Sequence, residues 1–373
     1  MGGKNNTQGA FFALLSAGLW EHCVQLAQFC PINYDILYQI ADDQAVVGLI
    51  ASGLEFVNDQ KIEKAEVLPF LKKVISLERR NLLMNAFIEL LITQLREAGV
   101  YTILVKGQGI AQCYERPLWR SSGDIDLFFD TENYERAKKI LIKESEFIGT
   151  ENAFYKHLDM TIHSWTVEIH GKLRSGLSAR IDRNIDIIQN DIFTNRHIRT
   201  WKNGNTDIYL PSPNNDIIVV FTHFIIHFYK GGIGFRQICD WCRLLWTYRE
   251  SIDRPLLEKR LHKMWLLTQW KAFASLAVNY LGMPVSAMPL YSNSGRWSRK
   301  ACRICSFILE VGNFGQKRDL SYYSRYPFWV RKTISFVRRC GDLVRHATVF
   351  PLDSLRFFPS IVFNGIKSAV RGE

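Results

Sequence analysis

Residues 120–129 read Arg-Ser-Ser-Gly-Asp-Ile-Asp-Leu-Phe-Phe, and their alternation sets the rest of the reading. From Asp124 to Phe129 acidic and apolar residues alternate with the period of a β-strand. Asp124 and Asp126 therefore share one face, about 7 Å apart along the strand, while Ile125 and Leu127 point into a core. Two carboxylates so placed repel each other unless a cation lies between them. Hard oxygen ligands select Mg²⁺ or Mn²⁺. A third carboxylate comes from Val167-Glu168-Ile169-His170, where Glu168 and His170 face one way and the apolar pair the other. If this strand lies beside the first, Asp124, Asp126 and Glu168 surround one metal site. That set suits two-metal phosphoryl transfer, with ions ~3.5–4 Å apart.

Upstream, Tyr101–Val105 is β-rich and apolar, a buried strand. Gly107 follows it and opens a short helix to Tyr114, its bare backbone admitting a phosphate at the helix start. Lys106 and Arg120 would neutralise phosphate charge. Pro117–Gly123 is a loop. Asp130 or Thr131 caps a helix to about Ser145, and Phe154–His163 and Trp165–His170 alternate as strands. The region 100–171 thus reads β-α-β-α-β-β, an α/β (α+β) core with a mixed sheet. Helices flank it on both sides. Phe11, Leu14, Leu15, Leu19, Cys23 and Leu26 recur at helical spacing, which favours a first helix running to Pro31 over a signal peptide. Val67–Leu95 is the clearest helix, with Phe70, Val74, Leu77, Leu82, Phe87, Leu90, Leu91 and Leu95 as its apolar positions. Helices are expected at 216–229, 235–249, 255–281 and 296–310. The chain divides into an N-terminal helical region (1–98), the α/β core (99–205), a helical domain (206–295) and a C-terminal tail (296–373).

Lys106-Gly107, Arg120, Gly-Asp-Ile-Asp-Leu, Val-Glu-Ile-His-Gly and the segment Phe224–Leu245, with His227, Arg236 and Asp240, together resemble the uncharacterised bacterial nucleotidyltransferase family of the polymerase-beta superfamily. The resemblance spans roughly residues 10–250. It implies a nucleotidyltransferase fold with Asp124, Asp126 and Glu168 as catalytic metal ligands. Gly107 falls at the nucleotide-loop glycine. It is followed by Gln108, where the superfamily usually has Ser or Gly. Lys106, Gly107, Gln108 and Arg120 are the nucleotide-binding candidates. His170 and His227 are candidates for orienting the ligands from behind. The implied reaction moves a nucleoside monophosphate from an NTP to a hydroxyl acceptor, with Mg²⁺ or Mn²⁺ as cofactor. The alternative is a non-catalytic nucleotide-binding or regulatory module of the same fold.

Composition narrows the partners. Apolar residues make up 47% of the 373 residues, enough for a core and too many for a disordered chain. Forty-seven basic and thirty-six acidic residues leave a net charge of +11. The surplus is local: Arg296–Glu373 carries fifteen Lys/Arg and five Asp/Glu, while the rest is nearly neutral. In the tail, 322–373, aromatic and aliphatic residues such as Phe328, Trp329, Phe336, Phe358 and Phe363 interleave with Arg325, Arg331, Lys332, Arg338, Arg339, Lys367 and Arg371. This composition fits an anionic membrane surface or single-stranded nucleic acid, as well as a helical tail packed on the body. Eight cysteines are too few for a disulfide scaffold, which points to the cytoplasm, with the tail as a means of holding the protein at the inner membrane surface. Cys239/Cys242 and Cys302/Cys305 lie in apolar helical patterns and read as packing rather than zinc ligands. Arg236 and Asp240, four residues apart, read as a helix ion pair.

Overall fold

The computed structural model describes residues 2–152, 155–317 and 326–370. Its helices are α1 (Gly2–Trp20), α2 (Tyr34–Asp43), α3 (Val47–Glu55), α4 (Lys64–Glu97), α5 (Gly107–Ala111), α6 (Thr131–Leu141), α7 (Ala179–Phe193), α8 (Pro213–Lys230), α9 (Phe235–Thr247), α10 (Arg254–Met264), α11 (Leu267–Leu281), α12 (Gly295–Val311), α13 (Phe328–Val349) and α14 (Pro351–Val370). The strands are β1 (Ile103–Val105), β2 (Ile125–Phe128), β3 (Phe147–Ile148), β4 (His157–Ile162), β5 (Trp165–His170), β6 (Ile198–Asn203) and β7 (Thr206–Pro211). Phe154, Arg325 and Arg371, and the side chain of Lys367, lie outside what is described.

Five strands form a mixed sheet in the order β1-β2-β5-β4-β3. β2 and β5 run parallel, with Asp126 level with Glu168 and Phe128 level with His170. β4 and β5 form an antiparallel hairpin that sets His157 opposite His170. The chain is therefore mixed α/β, a nucleotidyltransferase-type sheet with helical flanks. β6 and β7 add a separate hairpin, turned at Gly204 with φ +58°.

Two hydrophobic clusters hold these parts together. One joins Met84, Phe87, Leu91 and Leu95 of α4 to Leu127, Val167 and Ile169 of the sheet. The other runs from Phe11 and Leu14 of α1 through Phe221, Trp241 and Trp270 to Phe350 and Phe357. The N-terminal and C-terminal helices thus share one core.

Several helix expectations need correction. α1 stops at Trp20, and Cys23 is exposed beyond it. α4 buries Phe70, Val74, Leu77, Phe87, Leu91 and Leu95 but leaves Leu82 and Leu90 exposed, because only one stripe of so long a helix meets the body. The span 255–281 is two helices, broken where Trp265 takes a left-handed conformation. Pro351 starts α14, and Pro359 lies inside it rather than ending it.

Candidate active site

The site begins at the end of β1. Lys106 adopts φ +59° and Gly107 φ +39°, so two successive residues turn the chain sharply before the short helix α5. A side chain is strained in this region and glycine is not, which accounts for Gly107. The Lys106 ammonium reaches across to β2 and sits 2.6 Å from Asp126 Oδ1.

Asp126 is 2% exposed. Burial alone would favour its neutral form. Lys106 and the His170 imidazole, whose Nε2 lies 2.8 Å from the same oxygen, outweigh burial and hold the carboxyl far below the usual range. Asp124 behaves in the opposite sense: the Asp126 charge, then its own burial, push it above an ordinary aspartate. Lys106 has to overcome its own burial too, and Asp126, Asp124 and Glu168 together keep it charged. The three acidic groups and the lysine thus titrate as one electrostatic unit.

Lys106, Asp124 and Asp126 line a cleft of about 510 Å³ together with Arg120, Val220, His223 and Phe224 of α8, Arg236 and Asp240 of α9, and Phe314. Glu168 stands beside Asp126 in the sheet, but its carboxylate faces the imidazoles. His157 Nε2 is 3.2 Å and His170 Nε2 3.5 Å from Glu168 Oε2. Burial would raise the Glu168 pKa; the His157 hydrogen bond, Lys106 and His170 bring it below normal despite the nearby Asp126. The structure therefore brings Asp124 and Asp126 to the cleft and places Glu168 in the neighbouring imidazole pair. His170 Nε2 contacts Asp126 Oδ1 at 2.8 Å. His227 packs behind the cleft, edge-on to His223 and Phe314.

Two of the expected phosphate contacts already have protein partners. Arg120 is 6% exposed, and its Nε and Nη2 donate to Asp240 Oδ1 and Oδ2, both at 2.7 Å. The Tyr114 hydroxyl donates to the same Asp240 at 2.8 Å. Asp240 is thereby committed to Arg120, not to Arg236 on its own helix. Gln108 is also buried, its amide donating to Asn81 Oδ1 at 2.9 Å and Ser122 Oγ at 3.2 Å. Both residues fix the loop carrying Asp124. Asn81 of α4 completes the clamp by donating to the carbonyls of Leu118 and Arg120.

The cation left facing the cleft is Arg236. It donates once, from Nη1 to Ser121 O at 3.2 Å, and its buried Nε has no partner among the described residues. Burial and the nearby Arg120 charge lower its pKa. Sequence spacing pointed to Asp240 as its partner and hid this role. His157 was missed as well, because its pairing with His170 depends on the β4–β5 register.

A family model for uncharacterised nucleotidyltransferases matches residues 31–282, which include every residue named for this site except Phe314. The chain belongs to that family. No match emerged among curated proteins or among solved structures. The matched region of this nucleotidyltransferase takes in α2 through α11, and with them the five-stranded sheet.

Proposed function

We propose that this nucleotidyltransferase moves a nucleoside monophosphate from an NTP to a hydroxyl acceptor, releasing pyrophosphate, with a divalent ion at Asp124 and Asp126 and Glu168 adjoining. The observation that carries the reading is the carboxylate pair in the cleft, Asp126 buried and Asp124 half-buried, where one carboxylate raises the other's pKa although a lysine ammonium sits on Asp126. Lys106 pairs directly with Asp126 and Asp124 keeps a raised pKa, so the pair has a place for a further cation and the residues fit Mg²⁺ or Mn²⁺. Such an ion, when bound, would neutralise triphosphate charge and lower the pKa of the acceptor hydroxyl. The chain supplies the rest. Arg236 meets phosphate oxygens in place of the committed Arg120, and Lys106 offers a second positive charge. His170 holds Asp126 in orientation. Phe224 and Phe314 give the cleft an apolar lining that excludes water. The strand order and carboxylate placement support membership of the polymerase-beta superfamily.

The test is incubation with each of the four labelled NTPs and Mg²⁺ or Mn²⁺. Pyrophosphate release that disappears in Asp126→Asn supports the reading. Absence of release from any NTP, with no Mg-NTP binding by calorimetry, overturns it. NTP binding without turnover favours the regulatory module, to which the engagement of Glu168 by two imidazoles also lends support.

A second reading concerns the tail. Trp329, Val330, Phe336, Val337 and Val344 of α13 and Leu352, Leu355 and Phe363 of α14 are exposed. Val330, Val337 and Val344 recur every seven residues, so they line one helix face. The opposite face packs His346, Val349, Phe357 and Ile361 into the body. No described helix is long and apolar enough to cross a membrane. An outward apolar stripe flanked by Arg331, Lys332, Arg338 and Arg339 matches an interfacial helix on an anionic bilayer better than a nucleic-acid groove. Sedimentation with phosphatidylglycerol vesicles, weakened by Trp329→Ala/Val337→Asp, is the expected result. Equal sedimentation with neutral and anionic vesicles, or a shift with single-stranded RNA alone, refutes it.

A further inference from the structure

The imidazole pair beside Asp126 has a donor geometry that the cleft chemistry does not use. His157, Glu168 and His170 each offer one ligand atom, and these atoms all lie within 4.8 Å of one another. Nε2 of His157 and Nε2 of His170 stand 3.2 and 3.5 Å from Glu168 Oε2. With metal–ligand bonds of ~2.0–2.2 Å, adjacent donors around a tetrahedral or octahedral ion stand roughly 2.9–3.6 Å apart. The backbone fixes this arrangement. His157 and His170 are register partners across β4 and β5, and Glu168 precedes His170 by two residues on the same strand face. The rings lie 4.8 Å apart and 26° from parallel, so both present the same edge to Glu168. All three residues are partly exposed, which leaves an entry path.

We propose that His157, Glu168 and His170 bind a divalent first-row transition ion of the Mn²⁺-to-Zn²⁺ class in preference to Mg²⁺. The proposal deepens the reading above, in which Glu168 adjoins the ion site, by giving that carboxylate two nitrogen partners and a different ion preference. Two imidazoles and one carboxylate favour borderline transition ions, whereas Mg²⁺ demands oxygen ligands and keeps its waters. Without an ion, each imidazole is held by hydrogen bonds to Glu168 or Asp126. Ligation replaces those contacts, with each ring carrying its proton on Nδ1 and turning the Nε2 lone pair to the ion. Asp126 then stands between this site and the cleft, as neighbour to both.

The test uses the full chain, freed of metal by a chelator and with no nucleotide present. Calorimetric titration compares Zn²⁺, Mn²⁺ and Mg²⁺. One equivalent of Zn²⁺ is expected to bind at least 100-fold more tightly than Mg²⁺. His157→Asn should weaken Zn²⁺ at least tenfold. In the Mn²⁺-loaded wild type, electron spin-echo spectroscopy should show ¹⁴N coupling from imidazole. Zn²⁺ binding no tighter than Mg²⁺, or wild-type affinity in His157→Asn, overturns the proposal. So does absence of ¹⁴N coupling, which decides the matter even if the variant fails to fold. Pyrophosphate release with Mg²⁺ is measured in parallel. Turnover without Zn²⁺ binding sinks this proposal alone, and Zn²⁺ binding without turnover on any NTP sinks only the nucleotidyl reading.

Discussion

Asp240→Asn tests whether Arg120 is a structural cation or a phosphate ligand. Asp240 accepts two hydrogen bonds from Arg120 and one from Tyr114, all between 2.7 and 2.8 Å. Both side chains of the ion pair are nearly inaccessible, at 4% for Arg120 and 6% for Asp240. Removing the carboxylate charge strands a buried guanidinium, and breaking such a pair costs about 3–5 kcal/mol. Total stability is commonly only ~5–15 kcal/mol, so the variant should be close to its limit. Replacing all three partners with apolar side chains, in Tyr114→Phe/Arg120→Met/Asp240→Leu, leaves nothing stranded and should recover most of the loss. Urea denaturation followed by tryptophan fluorescence measures each variant. A phosphate ligand predicts the reverse: Arg120→Met would keep the wild-type midpoint and raise the NTP KM. An Asp240→Asn midpoint within experimental error of wild type would refute the structural assignment.

Other expectations follow from neighbouring groups. Arg236→Gln should raise the NTP KM by roughly 10- to 100-fold, the value of a charged hydrogen bond, with its melting curve unchanged; steady-state kinetics decides. Burial, aided by the Lys106 and Lys230 charges, lowers the His227 pKa to about 4. The unfolded chain takes up that proton near pH 6.5 and the folded chain does not. Stability is therefore complete above that pH and falls by up to about 3 kcal/mol as pH drops to 4; His227→Gln should flatten this part of a stability–pH profile. Gly48 admits no side chain, because a Cβ there would collide with the Trp119 carbonyl. Gly48→Ala should cost ~1–3 kcal/mol and, by shifting the loop that carries Arg120 and Asp124, raise the KM as well; thermal melts and kinetics report the two effects.

The parts of the site legible in the sequence are those written in local periodicity. Trp165–His170 forms the expected strand to the residue, and Asp126 within β2 and Asp124 just before it both line the cleft. The parts that escaped depend on partners distant along the chain. Arg120 and Asp240 meet across 120 positions, so an i, i+4 rule assigned Asp240 to the wrong arginine. Gln108 read as a nucleotide-binding residue but fills a polar slot that Asn81 of α4 opens. His157 required the strand register. The β6–β7 hairpin was signalled by Gly204-Asn205 between alternating residues, a turn pair not used in the sequence analysis. In α4, periodicity identified the helix but not how much of its apolar surface the body would cover.

The position of Lys106 carries a thermodynamic consequence. Its ammonium neutralises Asp126 and so cannot at the same moment neutralise a triphosphate. Only an incoming cation at the carboxylates frees it to turn toward phosphate, and a phosphate that draws it away leaves the carboxylates in need of a cation. Each ligand thereby makes room for the other, and linkage requires the gain to be equal in both directions. In the proposed reaction the lysine would act as a placeholder that couples ion and nucleotide, so that each binds more weakly in the absence of the other.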